Sequence, residues 1–84
     1  MYQLNLLESP KKVLGKIKDK KLLFRLVKAI ESLKYNPFPE NSKKLKGNVG
    51  YRLRIGDYRI LYIVDKVVRI VEIYMIGHRK DIYR

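Results

Sequence analysis

Two hydrophobic periods divide the chain. Residues 2–7 alternate, with Tyr2, Leu4 and Leu6 to one side and Gln3 and Asn5 to the other, which is the pattern of a half-buried strand. The period then lengthens. Ser9-Pro10 reads as a helix start, a serine cap followed by a proline whose missing N–H costs nothing in the first turn. Val13, Leu14 and Ile17 form a narrow apolar stripe among lysines, Gly15 weakens it, and this first helix is expected to end near Asp19. Over residues 20–33, Leu23, Leu26, Val27, Ile30 and Leu33 recur at three and four with Lys28 and Lys34 off the stripe, predicting a second helix and hence a helical hairpin. Asn36-Pro37-Phe38-Pro39 stops it. A polar, basic loop follows as far as Asn48, with Phe38 and Leu45 as its anchors in the core.

From Gly50 the period is two. Tyr51, Leu53 and Ile55 alternate with Arg52 and Arg54, Gly56-Asp57 is a two-residue hairpin signal with glycine first, and residues 58–64 continue as a strand. Asp65-Lys66 reads as the next turn, and 67–76 as the last strand. The order is β-α-α-β-β-β: a small, mostly antiparallel α+β sheet with the helical hairpin packed on one face, one domain over residues 1–84. The turns set the register. A two-residue loop at Gly56-Asp57 opposes Ile55 to Tyr58, Arg54 to Arg59 and Leu53 to Ile60, and cross-strand partners share a face. Tyr51, Leu53, Ile55, Tyr58, Ile60 and Tyr62 then meet the helices, while Arg52, Arg54 and Arg59 share the other side. A two-residue turn at Asp65-Lys66 would oppose Arg59 to Glu72 and offer it an ion pair. Arg52 and Arg54 have no acid in register.

Charge sharpens this picture. Twenty Lys and Arg stand against eight Asp and Glu, a net charge of +12 on 84 residues, a field that attracts polyanions such as RNA, DNA, the ribosome, an anionic membrane or an acidic protein. The bland alternative is a highly charged soluble surface, but an ion-pair surface would balance its cations with more acids. The run 60–75 is broken by Asp65, Lys66, Arg69 and Glu72, so no membrane span is expected. The start lacks a signal peptide's basic region, and the absence of cysteine removes disulfide and thiolate chemistry. Both point to the cytoplasm.

One histidine without cysteine cannot build a zinc site, the carboxylates are scattered, and there is no phosphate-cradling glycine loop, so neither a metal nor another cofactor is expected. The three arginines remain, together with the tail Gly77-His78-Arg79-Lys80-Asp81-Ile82-Tyr83-Arg84, which is expected to leave the last strand at the edge of the same face. Guanidinium groups recognise phosphate bidentately. A tyrosine can stack on a base or move a proton.

The sequence resembles the RelE/ParE superfamily of toxins, most nearly the RelE branch. The resemblance spans nearly the whole chain: Leu45-Lys46-Gly47 in a lysine-rich loop, the hairpin Tyr51-Arg52-Leu53-Arg54-Ile55-Gly56-Asp57-Tyr58-Arg59-Ile60-Leu61-Tyr62, and the ending from Ile76 to Tyr83. It implies the toxin of a type II toxin–antitoxin pair, a metal-independent mRNA interferase that cuts mRNA in the ribosomal A site through 2′-hydroxyl attack. It implies RNA binding by Arg52 and Arg54, with Lys44, Lys46 and Lys80 in support. Arg59 would stabilise the transition state, and Arg79 would act at the leaving group. Tyr83 would stack on the base or accept a proton, and His78 is a second proton-transfer candidate. Its partners would be the 70S-type ribosome with its mRNA and an acidic, RelB-like antitoxin in a hetero-oligomer. Two other readings stand beside this one. One is a ParE-type inhibitor of DNA gyrase, and the other a non-catalytic RNA- or ribosome-binding module.

Overall fold

A computed structural model describes residues 1–47 and 49–79. The chain forms β1 (Gln3–Leu6), α1 (Glu8–Lys16), α2 (Lys20–Ser32), β2 (Ser42–Lys44), β3 (Tyr51–Ile55), β4 (Tyr58–Asp65) and β5 (Ile70–His78). The five strands make one mixed sheet in the order β1-β5-β4-β3-β2, with β1 parallel to β5 and every other pair antiparallel. The expected α+β order is present, with one addition: part of the loop after α2 becomes the edge strand β2. No described helix is long and apolar enough to cross a membrane.

The helix ends differ from the expected ones in an instructive way. The first helix begins at Glu8, before Ser9, and Leu7 is its N-cap without a side-chain cap bond. Pro10 still lies in the first turn, where a helix N–H has no intrahelical partner, so it costs no hydrogen bond there; its ring is buried instead. The helix stops at Lys16. Asp19 then caps the second helix, its carboxylate accepting from the Lys21 N–H at 3.0 Å and the Leu22 N–H at 3.2 Å. The face that α2 turns to the sheet is rotated from the expected stripe. Leu26, Ile30 and Leu33 are buried with Leu22 and Ala29 against them, whereas Val27 and Phe24 are exposed.

The core lies between α2 and the sheet. Leu53, Ile60, Tyr62, Val71, Ile73 and Ile76 supply its sheet side. Burying a side chain of this size contributes about 1.5–3 kcal/mol, so this single apolar layer fixes which face of each strand points inward. Tyr62 brings a hydroxyl into it, and that hydroxyl donates to the Pro37 carbonyl at 2.8 Å. The bond joins the loop after α2 to the middle of the sheet. Phe38 and Tyr51 continue the aromatic column, with ring centroids 5.1 Å and then 5.8 Å apart along Phe38–Tyr51–Tyr62.

The β3–β4 register is the expected one: Ile55 opposes Tyr58, Arg54 opposes Arg59 and Leu53 opposes Ile60. The β4–β5 register is not. Asp65 pairs with Ile70, so the connecting turn spans residues 66–69. The Asp65 carboxylate holds it by accepting from the Val67 and Val68 N–H groups at 2.9 and 3.1 Å. Arg69 takes a positive φ of 60°. A bulge then falls between Leu61 and Tyr62, where Tyr62 pairs with Ile73 but Leu61 pairs with Met75, leaving Tyr74 unopposed. Turn and bulge together move Arg59 opposite Gly77 and Glu72 opposite Ile63. The expected Arg59–Glu72 pair does not form. Glu72 instead accepts from the Asn5 side-chain amide of β1 at 3.4 Å.

Candidate nucleic-acid interface

The face of the sheet away from the helices carries the cations. Arg52 and Arg54 on β3 and Arg59 on β4 lie on it together, because alternation puts them opposite Leu53 and Ile60, which the core holds inward. Arg54 and Arg59 are direct cross-strand partners, an arrangement that costs a few tenths to about 1 kcal/mol in like-charge repulsion. On the outer side of β3, β2 opposes Lys43 to Arg52. Asn41, Lys43, Arg52 and Arg54 line a shallow cavity of about 250 Å³, and the Asn41 amide donates to the Arg54 carbonyl at 3.4 Å.

The three arginines are not equivalent. Arg54 is exposed and Arg52 half-buried. Arg59 was expected to face water or a ligand, but only 2% of it is exposed. Its Nη1 donates to the Gly56 carbonyl at 3.4 Å and the Tyr58 carbonyl at 3.2 Å. The guanidinium is thereby folded back over the hairpin tip and held by backbone acceptors, as a buried cation requires. A cation placed this way is preorganised. It needs little rearrangement to meet charge developing on a group bound above the hairpin.

β5 runs to His78, two residues beyond the expected end, and this redirects the tail. His78 pairs with Tyr58 and meets its ring edge to face, centroids 5.5 Å apart at 81°. Both belong to the same side of the sheet as Ile60 and Ile76, so His78 stands on the helix side and does not join the arginines. Arg79 remains at the arginine end of the sheet. It is exposed, and its N–H donates to the Asp57 carbonyl at 2.7 Å, tying the residue after β5 to the β3–β4 turn. Lys80 and Tyr83 lie outside the described residues.

Among the loop lysines the structure selects one the sequence reading passed over. Lys44 pairs with Tyr51 and so takes the other side of the sheet; Lys43 shares the side of Arg52. Its signal was the period-two alternation of Ser42-Lys43-Lys44, too short to read as a strand. Lys46 is exposed in the turn before β3, and no described contact brings it to the arginines. A second feature missed from sequence is Tyr74, the bulge residue. Its hydroxyl donates to the Val49 carbonyl at 2.7 Å, spanning β4 to reach the segment before β3, and burial raises its pKa above the usual tyrosine value. Among the described residues, no three His, Asp or Glu side chains gather where one metal ion could bind them.

A mixed sheet of this order, with a helical hairpin on one face and a cationic β-hairpin on the other, defines the class of RelE-like α+β toxins. Solved structures share it. The chain is similar to RelE in the archaeal RelE–RelB complex from Pyrococcus horikoshii OT3, with a TM-score of 0.80, 26% identity, and 93% of this chain and 94% of that chain covered. It is also similar to the toxin–antitoxin complex RelBE2 from Mycobacterium tuberculosis, with a TM-score of 0.79, 25% identity, and 93% and 98% covered. In sequence it is 39% identical over 83 residues to the curated protein named "Putative toxin RelE1" of Methanocaldococcus jannaschii, covering 92% of each chain. The family model described as ParE toxin of type II toxin-antitoxin system, parDE, matches residues 7–83. The chain belongs to this family: it is a RelE-like toxin of a type II toxin–antitoxin system.

Proposed function

We propose that this toxin is a ribosome-dependent endoribonuclease that cuts mRNA in the A site and so stops translation. The observation that carries the reading is the Arg54–Arg59 pair: two guanidinium groups directly opposed across a hairpin, with Arg59 buried and Arg54 exposed. A fold that tolerates this repulsion and holds one cation rigidly gains from it when an anion lies between strand and solvent. In the proposed reaction the 2′-hydroxyl oxygen of the nucleotide before the break attacks the adjacent phosphorus. The P–O5′ bond breaks and a 2′,3′-cyclic phosphate remains. One proton leaves the 2′-hydroxyl and one is taken up by the departing 5′-oxygen. Arg52 and Arg54 bind the backbone, with Lys43 beside them and Lys44, Lys46 and Lys80 adding general attraction. Arg59 meets the charge on the phosphorane, and Arg79 acts at the leaving group. Tyr83 is the proposed stacking or proton-accepting group. Arginine is a poor proton acceptor, and His78 stands on the other side of the sheet, which leaves the phenol as the better base. The reaction as proposed draws on no metal ion.

The partners proposed for this chain follow its relatives. The similar RelE chain of Pyrococcus horikoshii was solved in complex with RelB. For the present protein we propose an acidic antitoxin covering the cationic face in a hetero-oligomer in the cytoplasm. A second reading, gyrase inhibition by binding alone, is favoured by the ParE description of the matching family. In vitro translation followed by primer extension on the mRNA separates the two. Cuts that require ribosomes support cleavage, whereas intact mRNA with arrested DNA supercoiling supports the second reading.

A further inference from the structure

On the helix side, directly behind the arginine hairpin, a cavity of about 380 Å³ opens between the α1–α2 connection and the start of β4. Val13, Ile17 and Leu22 give it an apolar floor, Tyr58 an aromatic wall, and Lys16 and Lys18 a basic rim. The two lysines are exposed and the floor residues half-buried. Asp19 also borders it, but its carboxylate is taken up by the first N–H groups of α2. His78 stands edge-on against the Tyr58 ring and so fixes the wall. Arg25 adds a further cation at the hairpin tip, its Nη1 3.8 Å from where a Cβ on Gly56 would sit.

We propose that this cavity holds a second nucleotide of the bound RNA, outside the step of cleavage, with its base against the apolar floor and Tyr58 and its phosphate between Lys16 and Lys18. The proposal rests on the reading of the toxin as an RNA-cleaving protein. Its chemistry is that of single-strand recognition, in which an aromatic or apolar platform takes the π-face of a base and neighbouring cations take the backbone. Its placement gives the continuity. Tyr58 and Arg59 are consecutive in β4 and project to opposite faces. Cavity and arginine face therefore lie back to back across one strand, at the same end of the sheet. A single strand leaving the arginines over that end meets the cavity next.

The test is equilibrium binding of the full-length toxin to uncleavable 2′-O-methyl RNAs of about 4 and about 12 nucleotides, titrated over salt. Lys16→Gln/Lys18→Gln is compared with Arg52→Gln/Arg54→Gln. Neutralising two phosphate contacts makes the salt dependence shallower by about 1.4 in log–log slope for single strands. The arginine variant should show this with both RNAs, and the lysine variant with the longer RNA only. A Tyr58→Leu variant, which keeps an apolar residue there, should lose photocrosslinking to the longer RNA while remaining folded by circular dichroism. If the lysine variant keeps the wild-type slope with the longer RNA while the arginine variant loses its share, the second site is wrong and the cleft reading stands. Loss of antitoxin binding in the lysine variant with the RNA slope unchanged would assign the cavity to an acidic protein segment and overturn the proposal. Failure of the wild type to bind either RNA would instead refute the RNA reading itself.

Discussion

Gly50→Ala should be far more disruptive than Gly47→Ala, although both glycines have positive φ, at 92° and 77°. Any L-residue in that region carries strain of about 1–2 kcal/mol, which is all that Gly47→Ala adds, because no atom lies within 4 Å of the position its Cβ would take. At Gly50 the new Cβ would overlap the Tyr62 carbonyl oxygen and crowd the Tyr62 carbonyl carbon at 3.0 Å and the Ile63 Cα at 3.3 Å. Those are backbone atoms of the central strand and cannot swing aside as a side chain can. The first β3–β4 pair, Tyr51 with Tyr62, must part. That loses one or two ladder bonds at about 1 kcal/mol each and strands a buried carbonyl at about 1–3 kcal/mol. With the strain, the total is about 3–5 kcal/mol. For a chain of this size each kcal/mol lowers the melting temperature by roughly 4–8 °C. Urea denaturation of the two variants side by side measures the difference. A Gly50→Ala variant within about 1 kcal/mol of Gly47→Ala would refute the reasoning and, with it, the tight approach of this segment to β4 that sets Arg52 in place.

Asp19→Ala should destabilise the protein by about 1 kcal/mol through loss of the α2 cap, with faster amide exchange at Lys21 and Leu22 as the local readout. Tyr62→Phe should cost about 1 kcal/mol through the lost bond to Pro37 and should also change the alkaline limb of stability. Burial raises the Tyr62 pKa above 10.0 in the fold, so the folded state holds that proton more tightly than the unfolded chain does. This contribution is complete below pH 10 and is lost as pH rises through the folded value. The wild type should therefore lose stability there more steeply than Tyr62→Phe, as denaturation at a series of alkaline pH values will show. Arg54→Gln should leave stability unchanged or raise it by a few tenths of a kcal/mol at low ionic strength by relieving Arg59. Added salt should shrink that gain, while RNA cleavage is lost.

The parts of the fold legible in the sequence were those set by local pattern. The period of two over 51–55 and the Gly56-Asp57 turn place Arg54 opposite Arg59 because a two-residue loop admits one register. The β4–β5 pairing was not legible, for two physical reasons. Val67 and Val68 are β-branched and read as strand, yet Asp65 folds them into the turn through its side chain. The bulge at Tyr74 has no composition signal and shifts every pairing beyond it. The side of the sheet that His78 takes depended on both. Arg59 shows a different limit. Register gave its face, but its burial depends on how its guanidinium folds back to the Gly56 and Tyr58 carbonyls, a tertiary choice that alternation does not encode. Lys43 was hidden because a strand of three residues is too short for its period to stand out.

The central claim is that the opposed, partly buried arginine pair is the working part of an RNA-cleaving site. Primer extension on mRNA from an in vitro translation reaction, with wild type, Arg59→Lys and Arg79→Ala each confirmed as folded, tests it most directly. The account predicts discrete ribosome-dependent cuts with the wild type. It predicts a loss of about a hundredfold or more for Arg59→Lys, which keeps the charge but not the fork that the Gly56 and Tyr58 carbonyls hold. A comparable loss is expected for Arg79→Ala. Wild-type cutting by Arg59→Lys would contradict it, as would intact mRNA in the presence of the wild-type toxin.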